Sequence, residues 1–110
     1  MTDEGFAYDL VLADDHQTTV NVIAYQERPG RSLRGVVWDN QIRRWIYAPA
    51  IVADILYDDS DPTPVRALDR AAAEKAAVDQ LQTELPPEGT LATLCEEGER
   101  MGWRYGPPEA

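Results

Sequence analysis

The chain has 110 residues, 44% of them hydrophobic, and carries twenty acidic against ten basic side chains for a formal net charge of −10. This length and apolar content predict one domain over residues 1–110 and argue against a disordered acidic tail. The single cysteine excludes an internal disulfide framework, and no apolar run approaches the roughly 20 residues of a membrane-spanning helix. We therefore expect a cytoplasmic protein without membrane contact.

The basic residues are unevenly distributed. Residues 1–16 contain five acids and no base, whereas residues 17–47 contain five arginines and two acids. Residues 48–64 add four acids, and residues 65–110 carry nine acids against five bases. The five arginines of the second range are called the basic island: Arg28, Arg31, Arg34, Arg43 and Arg44. The acidic remainder repels nucleic acid phosphates at long range and favours basic surfaces, so nucleic acid is a disfavoured partner.

The first half of the chain has the alternating apolar pattern of strands. Four segments show it, at residues 6–13, 18–26, 34–38 and 44–47. The sequence Arg-Pro-Gly-Arg at 28–31 is typical of a type II turn, because glycine accepts the positive φ that such a turn requires. Short turns join antiparallel neighbours. The pattern predicts a four-stranded antiparallel meander over about residues 6–47, with its first strand half-buried.

After the strands the period changes to that of helices. Pro49 suits the first turn of a helix, and apolar residues between 51 and 56 follow on one stripe. A strand is the alternative for this segment, because its isoleucines and valine are β-branched. The acidic, proline-rich segment 58–64 ends the element.

Two longer helices are predicted behind that break. Asp69 is a good N-cap for an alanine-rich helix that stops before Pro86-Pro87. A third helix spans about residues 88–101 and can close at Gly102. The predicted fold class is α+β: an N-terminal four-stranded antiparallel meander with two to three C-terminal helices, within about residues 49–101, packed on one face. A short ordered tail, residues 103–110, completes the single domain.

The sequence lacks the usual catalytic groups. Cys95 and His16 are the only residues of their types, so a cysteine dyad or a serine triad would have to use that one histidine. Cys95 lies on the apolar stripe of the third predicted helix, and His16 lies in an acidic turn. We predict no catalytic residue and a protein that is not an enzyme.

Neither a metal nor a cofactor is predicted. Asp59, Asp61 and Thr63 alternate like the start of a calcium loop, but Pro64 stands where that loop needs glycine and Arg70 where it needs glutamate. The seven glycines form no phosphate-binding loop. The adjacent carboxylate pairs are interpreted as solvated surface.

Three interpretations of the basic island stay open. Its arginines are interleaved with Tyr25, Trp38, Trp45 and Tyr47. Arginines and aromatic residues on a sheet can stack single-stranded bases, can form the centre of a protein–protein interface, or can simply hold the structure together. The negative global charge makes the first of these the least favoured.

The leading hypothesis is a non-catalytic acidic protein-binding module. It would act as a bacterial or phage inhibitor, immunity protein or antitoxin, neutralising a basic toxin or nucleic-acid enzyme by electrostatic steering and occlusion. The predicted acidic face comprises Asp58, Asp59, Asp61, Glu96, Glu97 and Glu99. The predicted anchors, provided that they are exposed, are Trp38 and Trp45, with Arg43 and Arg44 beside them. The alternatives are a small accessory subunit or homodimer, a single-stranded nucleic acid binder, and a small enzyme.

Overall fold

The computed structural model describes residues 5–60 and 62–107 as five strands and three helices. The strands are β1 (Ala7–Leu12), β2 (Thr19–Gln26), β3 (Arg34–Asp39), β4 (Arg44–Tyr47) and β5 (Val65–Leu68). The helices are α1 (Pro49–Tyr57), α2 (Arg70–Leu81) and α3 (Glu88–Met101). No helix within the described ranges is both long enough and apolar enough to cross a membrane.

The strands form one antiparallel sheet in the order β4-β3-β2-β1-β5. The four-stranded meander is confirmed, and its four strands begin and end within one or two residues of the predicted positions. The fifth strand was not predicted. It pairs with β1 through Tyr8 opposite Leu68 and Val11 opposite Val65, and so becomes one edge of the sheet.

Helices α2 and α3 pack on one face of the sheet, which confirms the α+β arrangement with C-terminal helices. Their buried residues Ala77, Leu91 and Cys95 belong to the same core as Val22 and Val36 of the central strands. The first helix lies on the opposite face, where its Val52 packs in a second core with Ile23 and Val37 of the sheet.

Both faces of the sheet are consequently covered, and this corrects one expectation about β1. That strand was predicted to be half-buried, yet every residue from Tyr8 to Leu12 is buried. Tyr8 and Leu10 face the core under α2 and α3, while Val11 faces the core under α1.

Local chemistry explains where α2 begins and where α3 ends, both as predicted. The prediction that the alanine-rich helix stops at Pro86-Pro87 was wrong, because α2 already ends at Leu81, where Gln82 is left-handed with φ 57°. The Asp69 side chain accepts a hydrogen bond from the Ala72 amide at 2.8 Å, as an N-cap should. Gly102 adopts a left-handed conformation with φ 75° and ends α3. In the turn before β3, the Arg31 amide donates to the Arg28 carbonyl at 3.1 Å, with φ 69° at Gly30.

The end of α3 is held closely against the sheet and against α1. A Cβ added to Gly98 would lie 2.0 Å from Cδ2 of Tyr47, so only glycine allows this approach. Beyond the helix, the Trp103 amide donates to the Gly98 carbonyl at 2.9 Å. The Ala50 amide donates to the Arg104 carbonyl, also at 2.9 Å. The chain from 102 to 104 therefore connects α3 on one face with the first turn of α1 on the other.

Candidate functional site

The fold divides the basic island into two parts. Arg28, Arg31 and Arg34, from the β2–β3 turn and the start of β3, line a cleft of about 850 Å³ together with Arg104 and Glu99. This pocket is called the arginine cleft, and its remaining lining includes the apolar residues Leu33, Pro49, Ala53 and Trp103. The other two arginines of the island, Arg43 and Arg44, lie at the start of β4 and do not line it.

Glu99 is the centre of an ion-pair cluster in the cleft. Arg34 donates from Nε to Oε2 at 3.1 Å and from Nη2 to Oε1 at 2.9 Å, while Arg28 Nη2 donates to Oε2 at 2.7 Å. The hydrogen bonds and charge of Arg34, followed by those of Arg28, lower the pKa of Glu99 against the opposing effect of burial. Glu99 was predicted to belong to an open acidic face, but it is bound to two arginines of its own chain.

The arginines of the cleft are not all used by the fold. Arg34 donates from all three of its nitrogens, since its Nη1 also donates to Gln26 Oε1 at 3.3 Å. Arg28 Nη2 donates to the Ser32 carbonyl at 2.8 Å, but its Nε is buried without an acceptor among the described residues. The exposed Arg31 and Arg104 take part in no salt bridge within residues 5–60 and 62–107. The cleft therefore retains unused donors.

The aromatic pair of the basic island supports the connection between α2 and α3. The rings of Trp38 and Trp45 are 5.4 Å apart, and the Arg43 guanidinium lies 5.4 Å from the centre of the Trp38 ring. Trp45 Nε1 donates to the Glu84 carbonyl at 3.1 Å, and Arg43 Nη2 donates to the Gln82 carbonyl at 3.3 Å.

Trp38 lacks the exposure that an anchor needs. Its exposed fraction is only 6%, and its Nε1 is buried with no acceptor among the described residues. Trp45 is half-buried, whereas Arg44 is exposed at the start of β4. Because helices cover both faces of the sheet, the described part of the chain offers no open aromatic sheet face for base stacking.

The predicted acids lie in two separate groups. Asp58 and Asp59 are exposed immediately after α1, and the Asp58 carboxylate accepts hydrogen bonds from the amide and hydroxyl of Ser60 at 3.0 and 2.7 Å. Glu96 and Glu97 are exposed on α3. The first group follows a helix on one face of the sheet, and the second lies on a helix of the other face. Asp61 lies outside the described residues.

Cys95 and His16, the candidate nucleophile and base, do not lie in positions suited to catalysis. Cys95 is fully buried, and burial raises the pKa of its thiol to about 12. His16 is exposed in the turn after β1, with φ 60°. Among the described residues, no three histidine, cysteine or acidic side chains gather as a metal site would require.

One buried acid had no signal in the sequence. Asp9 is 6% exposed, and Tyr25 Oη donates to its Oδ1 at 3.1 Å. Burial raises the pKa of this carboxyl, partly offset by the tyrosine hydrogen bond. The sequence placed Asp9 on the supposedly open side of a half-buried strand, and α1 and its flanking residues make that side part of the second core.

Arg104 and Trp103 are the cleft residues that the sequence did not indicate. Both stand in a short tail, which is held at the cleft by the bond of the Trp103 amide to the Gly98 carbonyl and by the bond of the Ala50 amide to the Arg104 carbonyl. No protein-family model, no curated protein and no solved structure matches the chain.

Proposed function

We propose that the chain is a non-catalytic binding module that recognises a protein with a cationic surface. The observation that carries this proposal is the separation of charge on the molecule. Arg28 and Arg34 are ion-paired with Glu99 in the cleft, whereas Glu96 and Glu97 on the same helix are exposed and form no salt bridge among the described residues. A total of −10 is thus left largely on the outside of a small domain.

The mechanism is steering followed by occlusion. At physiological ionic strength a charge acts over about 8 Å, so the exposed acids speed the encounter only when a cationic surface is already close. The partner's basic groove, in a toxin or a nucleic-acid enzyme, is then covered. This is the action of an inhibitor, an immunity protein or an antitoxin.

The described chemistry supports binding rather than turnover. Cys95 is the only thiol, and its raised pKa and complete burial keep it from acting as a nucleophile. His16 lies on an exposed turn beside Asp15 and does not line the arginine cleft.

A homo-oligomer or accessory subunit is the second candidate. It is supported by two exposed apolar side chains close to the end of α3, Met101 at 57% and Tyr105 at 68%. Sedimentation at rising protein concentration tests this candidate. Detection of a dimer would support it, and a protein that stays monomeric at high concentration would count against it.

The experiment for the leading proposal is capture of partners from the native host with matched baits. The site variant is E96Q/E97Q, and the control is D14N/D54N, which removes two other exposed acids and the same charge. We expect a basic protein that is retained by the wild type and by the control but is lost with the site variant. Equal retention by all three baits would contradict the proposal.

A further inference from the structure

The arginine cleft has a charge opposite to that of the rest of the molecule. Its charged residues are four arginines and one glutamate, which give a local formal charge of +3. Because the whole chain carries −10, the remainder carries −13. The excess of arginines over its single carboxylate gives the cleft a positive local charge, which attracts an anionic ligand.

The unused donors of the cleft point toward an oxyanion. Glu99 accepts three of the hydrogen bonds that Arg28 and Arg34 can make, and this fixes the planes of both guanidiniums. Arg31 and Arg104, the exposed arginines of the cleft, form no salt bridge within the described part of the chain. Guanidinium groups match the oxygens of phosphate in paired, charge-assisted hydrogen bonds.

The size and the surroundings of the cleft favour a small ligand. A volume of about 850 Å³ is that of a pocket for a small ligand. An extended polyanion such as nucleic acid would reach beyond the cleft and meet the acidic remainder of the surface. A compact anion stays near the arginines, where their field dominates over charges more than about 8 Å away.

We propose that the arginine cleft binds a compact phosphorylated molecule. Its phosphate accepts hydrogen bonds from Arg31 and Arg104, the two exposed arginines of the cleft. Leu33, Pro49 and Ala53 offer an apolar wall to the body of the ligand. This site is independent of the proposed protein-binding acids Glu96 and Glu97, because those side chains do not line the cleft.

The experiment is calorimetric titration of the intact chain with inorganic pyrophosphate at constant ionic strength. The site variant is R31Q/R104Q, and the control is R66Q/R100Q, which removes two exposed arginines outside the cleft. Both variants lose two positive charges, so an effect of net charge alone is the same in each. Circular dichroism checks that both variants are folded, which we expect because the replaced side chains are exposed.

We expect pyrophosphate to bind the wild type, with affinity lowered at least about tenfold in R31Q/R104Q and within about twofold of wild type in the control. Citrate, a carboxylate anion of similar size, should bind more weakly than pyrophosphate. No heat of binding up to about 10 mM pyrophosphate, or an equal loss in both variants, overturns the proposal. Tighter binding of citrate or of a single-stranded oligothymidylate overturns the assignment to a compact phosphate.

The outcome is separable from that of the protein-binding proposal. The E96Q/E97Q variant should bind pyrophosphate as tightly as the wild type, or slightly more tightly, because it removes negative charge without altering the cleft. Loss of pyrophosphate binding in E96Q/E97Q would contradict the independence of the two sites.

Discussion

Among single residues, Glu99 forms ion pairs that its charge and its position in the sequence do not indicate. The sequence presents it as one acid of a run with Glu96 and Glu97, and the prediction gave all three the same role. Its partners Arg28 and Arg34 lie 71 and 65 positions away in the chain. Only the packing of α3 on the sheet brings them together, so the sequence could predict the charge of Glu99 but not its ion pairs.

We predict that Glu99→Gln lowers the free energy of unfolding by about 1–2 kcal/mol. The change removes charge-assisted hydrogen bonds to two arginines, and the estimate is kept small because the Glu99 side chain is 32% exposed. Denaturant unfolding at neutral pH measures it. The matched control is Glu97→Gln, an exposed change on the same helix, which should stay within about 0.5 kcal/mol of wild type.

The effect of Glu99 should depend on pH in a definite direction. Its pKa is lowered from the ordinary 4.5, so its stabilisation is complete above about pH 4.5 and is lost as the pH falls through the lowered pKa. The gap between wild type and Glu99→Gln should therefore shrink in acid. A gap that widens as the pH falls would show that the carboxylate does not stabilise the fold.

We also predict that Cys95 is inert in the folded protein. Its pKa of about 12 leaves only about one thiol in ten thousand ionised at pH 8, and the side chain is fully buried. Labelling by a thiol reagent should be at least about a hundredfold slower in the native protein than in denaturant. Complete labelling within seconds under native conditions would show that the thiol is accessible.

Among the helices and strands, the periodicity of apolar residues predicted those that are long or have regular apolar spacing. The four meander strands and α3 have clear apolar spacing, and the caps at Asp69 and Gly102 mark helix ends. The strand β5 has only four residues, three of them exposed, so it shows no buried alternation. Its pairing with β1 is what makes it a strand, and pairing between segments more than 50 residues apart leaves no local signal.

Gly98 provides a prediction about how α3 is positioned. In an isolated helix, alanine is more favourable than glycine by about 1 kcal/mol. At Gly98 the new Cβ would lie 2.0 Å from Cδ2 of Tyr47, and we expect this clash to outweigh the helical preference, with a net loss of about 2 kcal/mol or more.

The control for Gly98→Ala lies on the same helix. At Gly89 an added Cβ meets nothing within 4 Å, so Gly89→Ala should be neutral or stabilising by a few tenths of a kcal/mol. Thermal or denaturant unfolding compares the two variants. If Gly98→Ala were as stable as Gly89→Ala, this would contradict the close approach of α3 to β4 at Gly98.

For the whole molecule, both proposed binding sites depend on how the charged residues are distributed over the fold. The acidic composition and the basic island can be read directly from the sequence. The sequence did not predict that Arg28, Arg31 and Arg34 join Arg104 around one cleft, since Arg104 lies 70 residues beyond Arg34. It also did not predict that one acidic group follows a helix on one face and the other lies on a helix of the opposite face, because the position of α1 depends on its packing over Gly35.

In the proposed function, exposed acids direct the encounter with a cationic partner. The measurement that tests it most directly is the association rate constant with a synthetic decalysine peptide, followed by stopped flow as salt is raised. Wild type, E96Q/E97Q and the charge-matched D14N/D54N are compared. We expect a rate constant that falls about tenfold between about 20 mM and 300 mM salt, and a larger reduction of that rate constant in E96Q/E97Q than in D14N/D54N. A rate that does not fall with salt, or equal losses in the two variants, would contradict it.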